Sequence, residues 1–300
     1  MDLKLEEKIN IGISACQIGA KVRYNVKGYD MLGYLDREKS DYIWHPVCPE
    51  VMAGLGVPRY PIRIIGGNGF DVLNGIAEIK NRRGKRLTKE LLSGSKACLE
   101  TLKAGNVEVF IYMEGSPSCG VYRTTLKNKR LGHPPGLFGA MLLNEEIFLI
   151  PSSDLQSPVK WWDSRRRLQA FVWLKRQDIK EAKDIYEAWH FLKFLCQELD
   201  NEWARNFGRK IGDLTNYDLQ EIKKEILFCL RKPSSLERIM GSLKKNYSFL
   251  RKKFDLSLDA DFDDVRGMTR IAEKMLLLER LLKKEEYLFG TAPIDYKPPR

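Results

Sequence analysis

Around residues 151 to 160 the apolar spacing changes from short continuous runs to a recurrence every three or four positions, so the chain must build two kinds of core. Before the change stand INIGISA (9–15), VEVFIYM (107–113) and EIFLIP (146–151), runs that suit strands buried on both faces of a parallel sheet. Between the first two, LTKELLSGSKACLETLKA predicts an amphipathic crossover helix, with Thr88 as its cap and Gly105 just past its end. After the change, Ala182, Ile185, Trp189, Leu192, Cys196, Leu199 and Trp203 mark one face of a long helix. A second runs from Leu219 to Leu230 before Pro233, and two more are expected over 236–250 and 265–282. The expected fold is an α/β domain with a parallel sheet over residues 1–150, a linker at PSSDLQSPVK and an all-helical bundle over 151–300. A length of 300 residues suits two such domains.

Apolar residues at 43% and charged residues at 30% exclude a disordered or low-complexity chain. No run approaches the roughly 20 apolar residues that cross a bilayer, and MDLKLEEKIN lacks the order of a signal peptide. A cytoplasmic protein is expected. The net charge of +11, divided as +5 over residues 1–150 and +6 over 151–300, suits a polyanionic partner such as nucleic acid. Two clusters could supply the contacts: NRRGKR (81–86), and WWDSRRRLQAF (161–171), where tryptophans flank Arg165, Arg166 and Arg167. The competing reading of the second buries its tryptophans in an interdomain contact.

Six cysteines are too sparse for a disulfide scaffold. Cys98, Cys196 and Cys229 fall on helical patterns and read as core residues. Cys16, Cys48 and Cys119 instead stand in glycine- or proline-flanked settings, SACQIG, HPVCPEVMAGLGVPR and GSPSCG. Cys16 and Cys119 follow apolar runs, which brings them to the same end of a parallel sheet. Three converging thiolates suit an iron–sulfur cluster or a zinc ion. Nothing here has CxxC spacing.

The ordered motifs ISAC, VRY, PVCPEVMAGLGVPR, GKRLTKELLSGSKACL, GSPSCGVY and GHPPGLFGAMLL resemble the TudS-type thiouracil desulfidase domain over about residues 9 to 150. The resemblance implies a Rossmann-like domain in which Cys16, Cys48 and Cys119 hold a 4Fe-4S cluster whose fourth iron takes the sulfur of a thiolated pyrimidine. It makes Glu50 and Ser116 the nearest polar candidates for catalytic proton handling, with Arg23, Arg59 and Ser118 as candidate substrate-binding residues. The chain departs from the family pattern at Asn25 and Arg86, where acidic residues are usual, and in VYRTTLKNKR after SPSCG, where a glycine-rich stretch is usual. A two-domain relative, the RudS-type desulfidase, acts on 4-thiouridine in tRNA and carries a helical second domain. That likeness extends the expected partners to tRNA, on architecture and charge.

Three functions compete. The first is a desulfidase acting on a thiolated pyrimidine, within tRNA. The second is an RNA-binding protein with a structural metal site, and the third a free-nucleobase desulfidase whose helical half is structural. Elsewhere, GGNG in IIGGNGF matches no phosphate-binding fingerprint and reads as a turn, and His45 and His133 read as loop-shaping neighbours of proline.

Overall fold

The computed structural model describes residues 1–124, 133–215, 217–242, 245, 279 and 287–299. Apart from Lys245 and Glu279, the expected helical positions beyond 242 lie outside the described residues, as does most of VYRTTLKNKR. The chain divides into a unit spanning Lys8–Gln156 and a second made of Met1–Glu7 with Ser157–Pro299. The first seven residues thus leave the α/β unit: strand β1 (Lys4–Leu5) pairs in parallel with β8 (Asp295–Tyr296).

In the α/β unit, β2 (Ile9–Ser14), β3 (Tyr42–Val47), β6 (Val109–Tyr112) and β7 (Phe148–Pro151) form one parallel sheet in the order β3-β2-β6-β7. The two central strands come from the expected apolar runs, and Ile9, Ile11, Ile13, Phe110 and Tyr112 are fully buried. The strand at Tyr42–Val47 was not expected, because His45 and Pro46 interrupt the apolar run in YIWHPV. It lies at the sheet edge, where Pro46 removes no hydrogen bond from an interior ladder. Helix α1 (Pro49–Met52) follows it, and an antiparallel pair, β4 (Ile62–Ile65) and β5 (Glu78–Asn81), encloses α2 (Gly69–Leu73). The GGNG segment is a turn whose Asn68 caps α2: its side chain accepts from Phe70 N at 2.8 Å, while Asp71 accepts from Asn68 N at 2.7 Å.

The crossover helix α3 (Thr88–Ala104) ends at Gly105 as expected, but its N-cap is Leu87. Thr88 is diverted because its Oγ1 accepts from Ile79 N at 2.9 Å, tying the helix start to β5. Helix α4 (Leu137–Asn144) completes the unit, with Phe138 edge-on to Phe110 at 5.5 Å between ring centres.

Among its described residues the second unit is helical apart from the short β1-β8 pair. It contains α5 (Pro158–Arg176), α6 (Ala182–Leu199), α7 (Asn201–Lys210) and α8 (Leu219–Leu230). Much of the expected linker is ordered, and α5 starts inside it, capped by Ser157. The long helix expected through Trp203 is interrupted at Asp200, whose side chain accepts from Trp203 N at 3.0 Å and starts α7. Among the described residues no helix is long and apolar enough to cross a membrane.

The arginine run on α5 corrects an expectation. Arg166 and Arg167 are 2% and 4% exposed, and Trp161 and Trp162 are buried with them. Arg166 pairs with Asp163 at 2.7 Å and with Glu198, and its guanidinium lies 4.3 Å from the centre of the Trp162 ring. Arg167 pairs with Asp163 at 2.8 Å, and Arg165 reaches Glu279 at 2.6 Å. Burial opposes the Arg166 charge, but Glu198 and Asp163 outweigh it and hold its pKa above the ordinary arginine value. Arg166 and Arg167 are thus enclosed in the helical core and offer no open surface to phosphates, and Arg165 is largely covered in its ion pair.

Candidate active site

In a parallel sheet, ligands gather beyond the carboxyl ends of the strands where the strand order reverses. Here β2 is flanked by β3 on one side and β6 on the other, so that point lies beyond β2. The three loop cysteines arrive there. Cys16 sits in a 3-10 turn directly after β2, Cys48 directly follows β3 as the N-cap residue of α1, and Cys119 lies in the loop after β6. All three line one cavity of about 390 Å³, together with Arg23, Glu50, Arg59, Ser116 and Ser118.

Close backbone packing fixes the cysteine-bearing segments. A Cβ on Gly94 of α3 would lie 2.4 Å from Ala53 N and 2.6 Å from Pro49 O, so only glycine lets α3 approach the turn that carries Cys48 and Glu50. The Cys119 loop rests on the start of α4: Gly136, Leu137 and Gly139 donate their N–H groups to the carbonyls of Gly120, Pro117 and Ser118 at 2.8, 3.1 and 3.0 Å. The first-turn donors of α4 are satisfied by the loop they hold. A Cβ on Gly136 would meet Pro117 O and Ser118 O, each at 2.6 Å.

The polar side chains form one chain of contacts. Arg59 donates through Nε to Glu50 Oε2 at 2.7 Å, with Nη2 on the same oxygen at 2.5 Å, and its Nη1 holds Val22 O and Gly56 O. The other carboxylate oxygen accepts from Ser118 Oγ at 2.7 Å, and Ser118 Oγ lies 3.0 Å from Ser116 Oγ. Ser116 Oγ also accepts from Ser118 N at 3.3 Å and Cys119 N at 3.2 Å. Arg59 is therefore committed to an ion pair rather than open to substrate, and buried Ser118 links Glu50 to Ser116. Arg23 keeps a buried Nε without a hydrogen-bond partner among the described residues, and its guanidinium lies 5.3 Å from the Tyr29 ring centre.

Gln17 was not singled out by the motif reading. It is fully buried, and its Nε2 reaches Cys16 Sγ at 3.3 Å and Met113 Sδ at 2.9 Å. Only its place beside Cys16 in SACQIG could have marked it. His45 is structural, with Nε2 2.9 Å from Asn10 Oδ1, and His133 is exposed outside the cavity.

Burial pushes all three thiols above the ordinary cysteine pKa, Cys119 well above it. At Cys16 the Gln17 hydrogen bond and the Arg23 charge work against that burial. The three thiols lie close enough across the cavity to interact electrostatically. Three soft sulfur donors on one cavity wall fit a multi-iron group. Cys98 packs in the core against Cys48, while Cys196 and Cys229 are buried in the helical unit.

Comparison with known proteins matches residues 11–154 to the family described as 2-thiouracil desulfurase. The chain is 36% identical over 148 residues to protein YbbK of Bacillus subtilis (strain 168), a stretch covering 48% of this chain and 95% of that protein. Among solved structures it is similar to a chain described as the [4Fe-4S]-dependent thiouracil desulfidase TudS. The identity is 28% and the TM-score 0.41, over 50% of this chain and 94% of that one.

Proposed function

The chain belongs, through residues 11–154, to the 2-thiouracil desulfurase family, and on that premise we propose that it is an iron–sulfur desulfidase that exchanges the C=S of a thiolated pyrimidine for C=O with release of sulfide. The observation that carries the reading is that Cys16, Cys48 and Cys119, from three separate loops, line one cavity with the Arg59-Glu50-Ser118-Ser116 chain. In this reading the three cysteines hold a 4Fe-4S cluster. When bound, the cluster supplies a Lewis-acidic iron to a soft sulfur atom.

The protein's own residues handle the proton. Water adds its oxygen at the carbon that loses sulfur, and no net oxidation or reduction accompanies the exchange. Ser116 at the cavity wall receives a proton from that water as it passes its own through Ser118 to Glu50, and Arg59 holds the carboxylate in place for it. The apolar part of the wall, including Val22, Val47 and Ile62, suits the pyrimidine ring. A thiolate-held cluster and six free cysteines suit the reducing cytoplasm. The charge of +11 supports 4-thiouridine in tRNA as the form of the substrate.

The test is anaerobic assembly of the protein with iron and sulfide, followed by incubation with 2-thiouracil, 4-thiouracil and thiolated tRNA. Equal amounts of sulfide and of the oxo pyrimidine, formed without a reductant, are expected from at least one of them. Iron-loaded protein that releases no sulfide from any of the three contradicts the proposal.

A further inference from the structure

One fully buried polar side chain beside the cysteine cavity takes no part in the proton chain. Gln17 stands behind the wall that Cys16 and Met113 present to the cavity. Its Nε2 donates to Met113 Sδ at 2.9 Å and to Cys16 Sγ at 3.3 Å, so the two N–H groups of the amide meet two sulfur acceptors. The reverse orientation would set the carbonyl oxygen against both sulfurs. Oε1 is buried with no hydrogen-bond partner among the described residues.

The side chain is not what shapes the turn. Main-chain bonds already hold it: Tyr29 N donates to Cys16 O at 2.7 Å, Met31 N to Gln17 O at 2.8 Å and Gly19 N to Tyr29 O at 2.9 Å. A leucine or methionine would fill the same space without burying an unpaired carbonyl, and such a replacement of a half-satisfied polar group is neutral or stabilising. What the amide adds is a donor aimed at Cys16 Sγ. The charge of cavity-lining Arg23 acts on the same sulfur, and both oppose the effect of burial on it. Cys119 Sγ has a weaker side-chain contact, with Ser118 Oγ at 3.9 Å.

We propose that Gln17 is a positioning residue for the cluster ligand Cys16: its amide holds the sulfur at the cavity wall and withdraws charge from it, with Met113 Sδ as the second anchor that keeps the amide turned that way. The proposal rests on the iron–sulfur reading and adds the residue that tunes the group. Partners behind a metal ligand orient it and set its basicity, and hydrogen bonds to the ligand sulfurs are among the factors that fix a cluster's reduction potential. The direction follows. A donor on Cys16 favours the more negative, reduced state and so raises the potential. It also lowers the charge that the sulfur lends to iron, which suits Lewis-acid chemistry.

The experiment is a redox titration of the anaerobically assembled protein followed by electron paramagnetic resonance, with unfolding in urea and iron content measured on the same samples. It needs no substrate. Gln17→Leu and Gln17→Met each remove the donor and keep the bulk. Both should keep the wild-type iron content and unfolding midpoint, while the one-electron equilibrium shifts about tenfold toward the oxidised cluster, which is about 59 mV lower in potential. Met113→Leu changes the packing at the same place and keeps the donor, so its potential should stay at or above the wild-type value. An equal fall in Met113→Leu would assign the effect to packing and overturn the proposal. So would the absence of a cluster from both folded Gln17 variants, which would make the residue structural. A wild type that assembles no cluster overturns the iron–sulfur reading and the proposal with it, whereas an unchanged potential in a loaded Gln17 variant overturns the proposal alone.

Discussion

Both units contain an arginine–carboxylate network, and the two differ in what they leave open. On α5, Arg166 and Arg167 are enclosed with Asp163, Glu198, Ser234 and Trp162. In the α/β unit, Arg59 and Glu50 are also largely buried, at 6% and 14% side-chain exposure, but their chain runs on through two serines to the wall of a cavity lined by three thiols. Residue type and burial are therefore poor guides to function. What separates the catalytic candidate from the structural network is a chain of partners that ends at empty space beside reactive groups.

Four substitutions bear on this contrast, the largest effect first. Cys119→Ser should abolish sulfide release from thiouracil by the anaerobically assembled protein, because a cavity-lining ligand is lost. Activity close to wild type would detach the cavity from the chemistry. Glu50→Gln should keep iron but lower turnover by about 100- to 10,000-fold, the usual range for a general acid–base group, as read by steady-state sulfide release.

Asp163→Asn removes a charge facing two buried guanidiniums and should cost about 3–5 kcal/mol of stability in urea unfolding followed by circular dichroism. A cost near zero would show that the α5 network does not hold the helical core. Gly94→Ala should cost about 1–3 kcal/mol through overpacking. It should also lower turnover, because the added methyl pushes α3 against the turn that carries Cys48 and Glu50. A stable variant with normal turnover would mean that this contact does not position the site.

The central strands, the crossover helix ending at Gly105 and α8 were legible because continuous burial and one-sided burial leave different periods. The edge strand at Tyr42–Val47 was not, since an edge tolerates the histidine and the proline that disguise it. At the site, glycine and proline marked the loops of Cys16, Cys48 and Cys119. The contact of Gln17 with Met113 and the fit of Gly94 against α1 are long-range, and spacing along the chain does not record them. The same limit applied to Arg165, Arg166 and Arg167: a run of arginines looks alike whether it faces solvent or Asp163, Glu198 and Glu279.

The most direct test counts iron and acid-labile sulfide in the wild-type protein assembled under argon, beside single serine variants of all six cysteines. About four iron and four sulfide per chain are expected. They should be lost on changing Cys16, Cys48 or Cys119 and kept on changing Cys98, Cys196 or Cys229. A single zinc per chain, or iron that survives in the Cys16, Cys48 and Cys119 variants, would contradict the assignment of the cavity to a cluster.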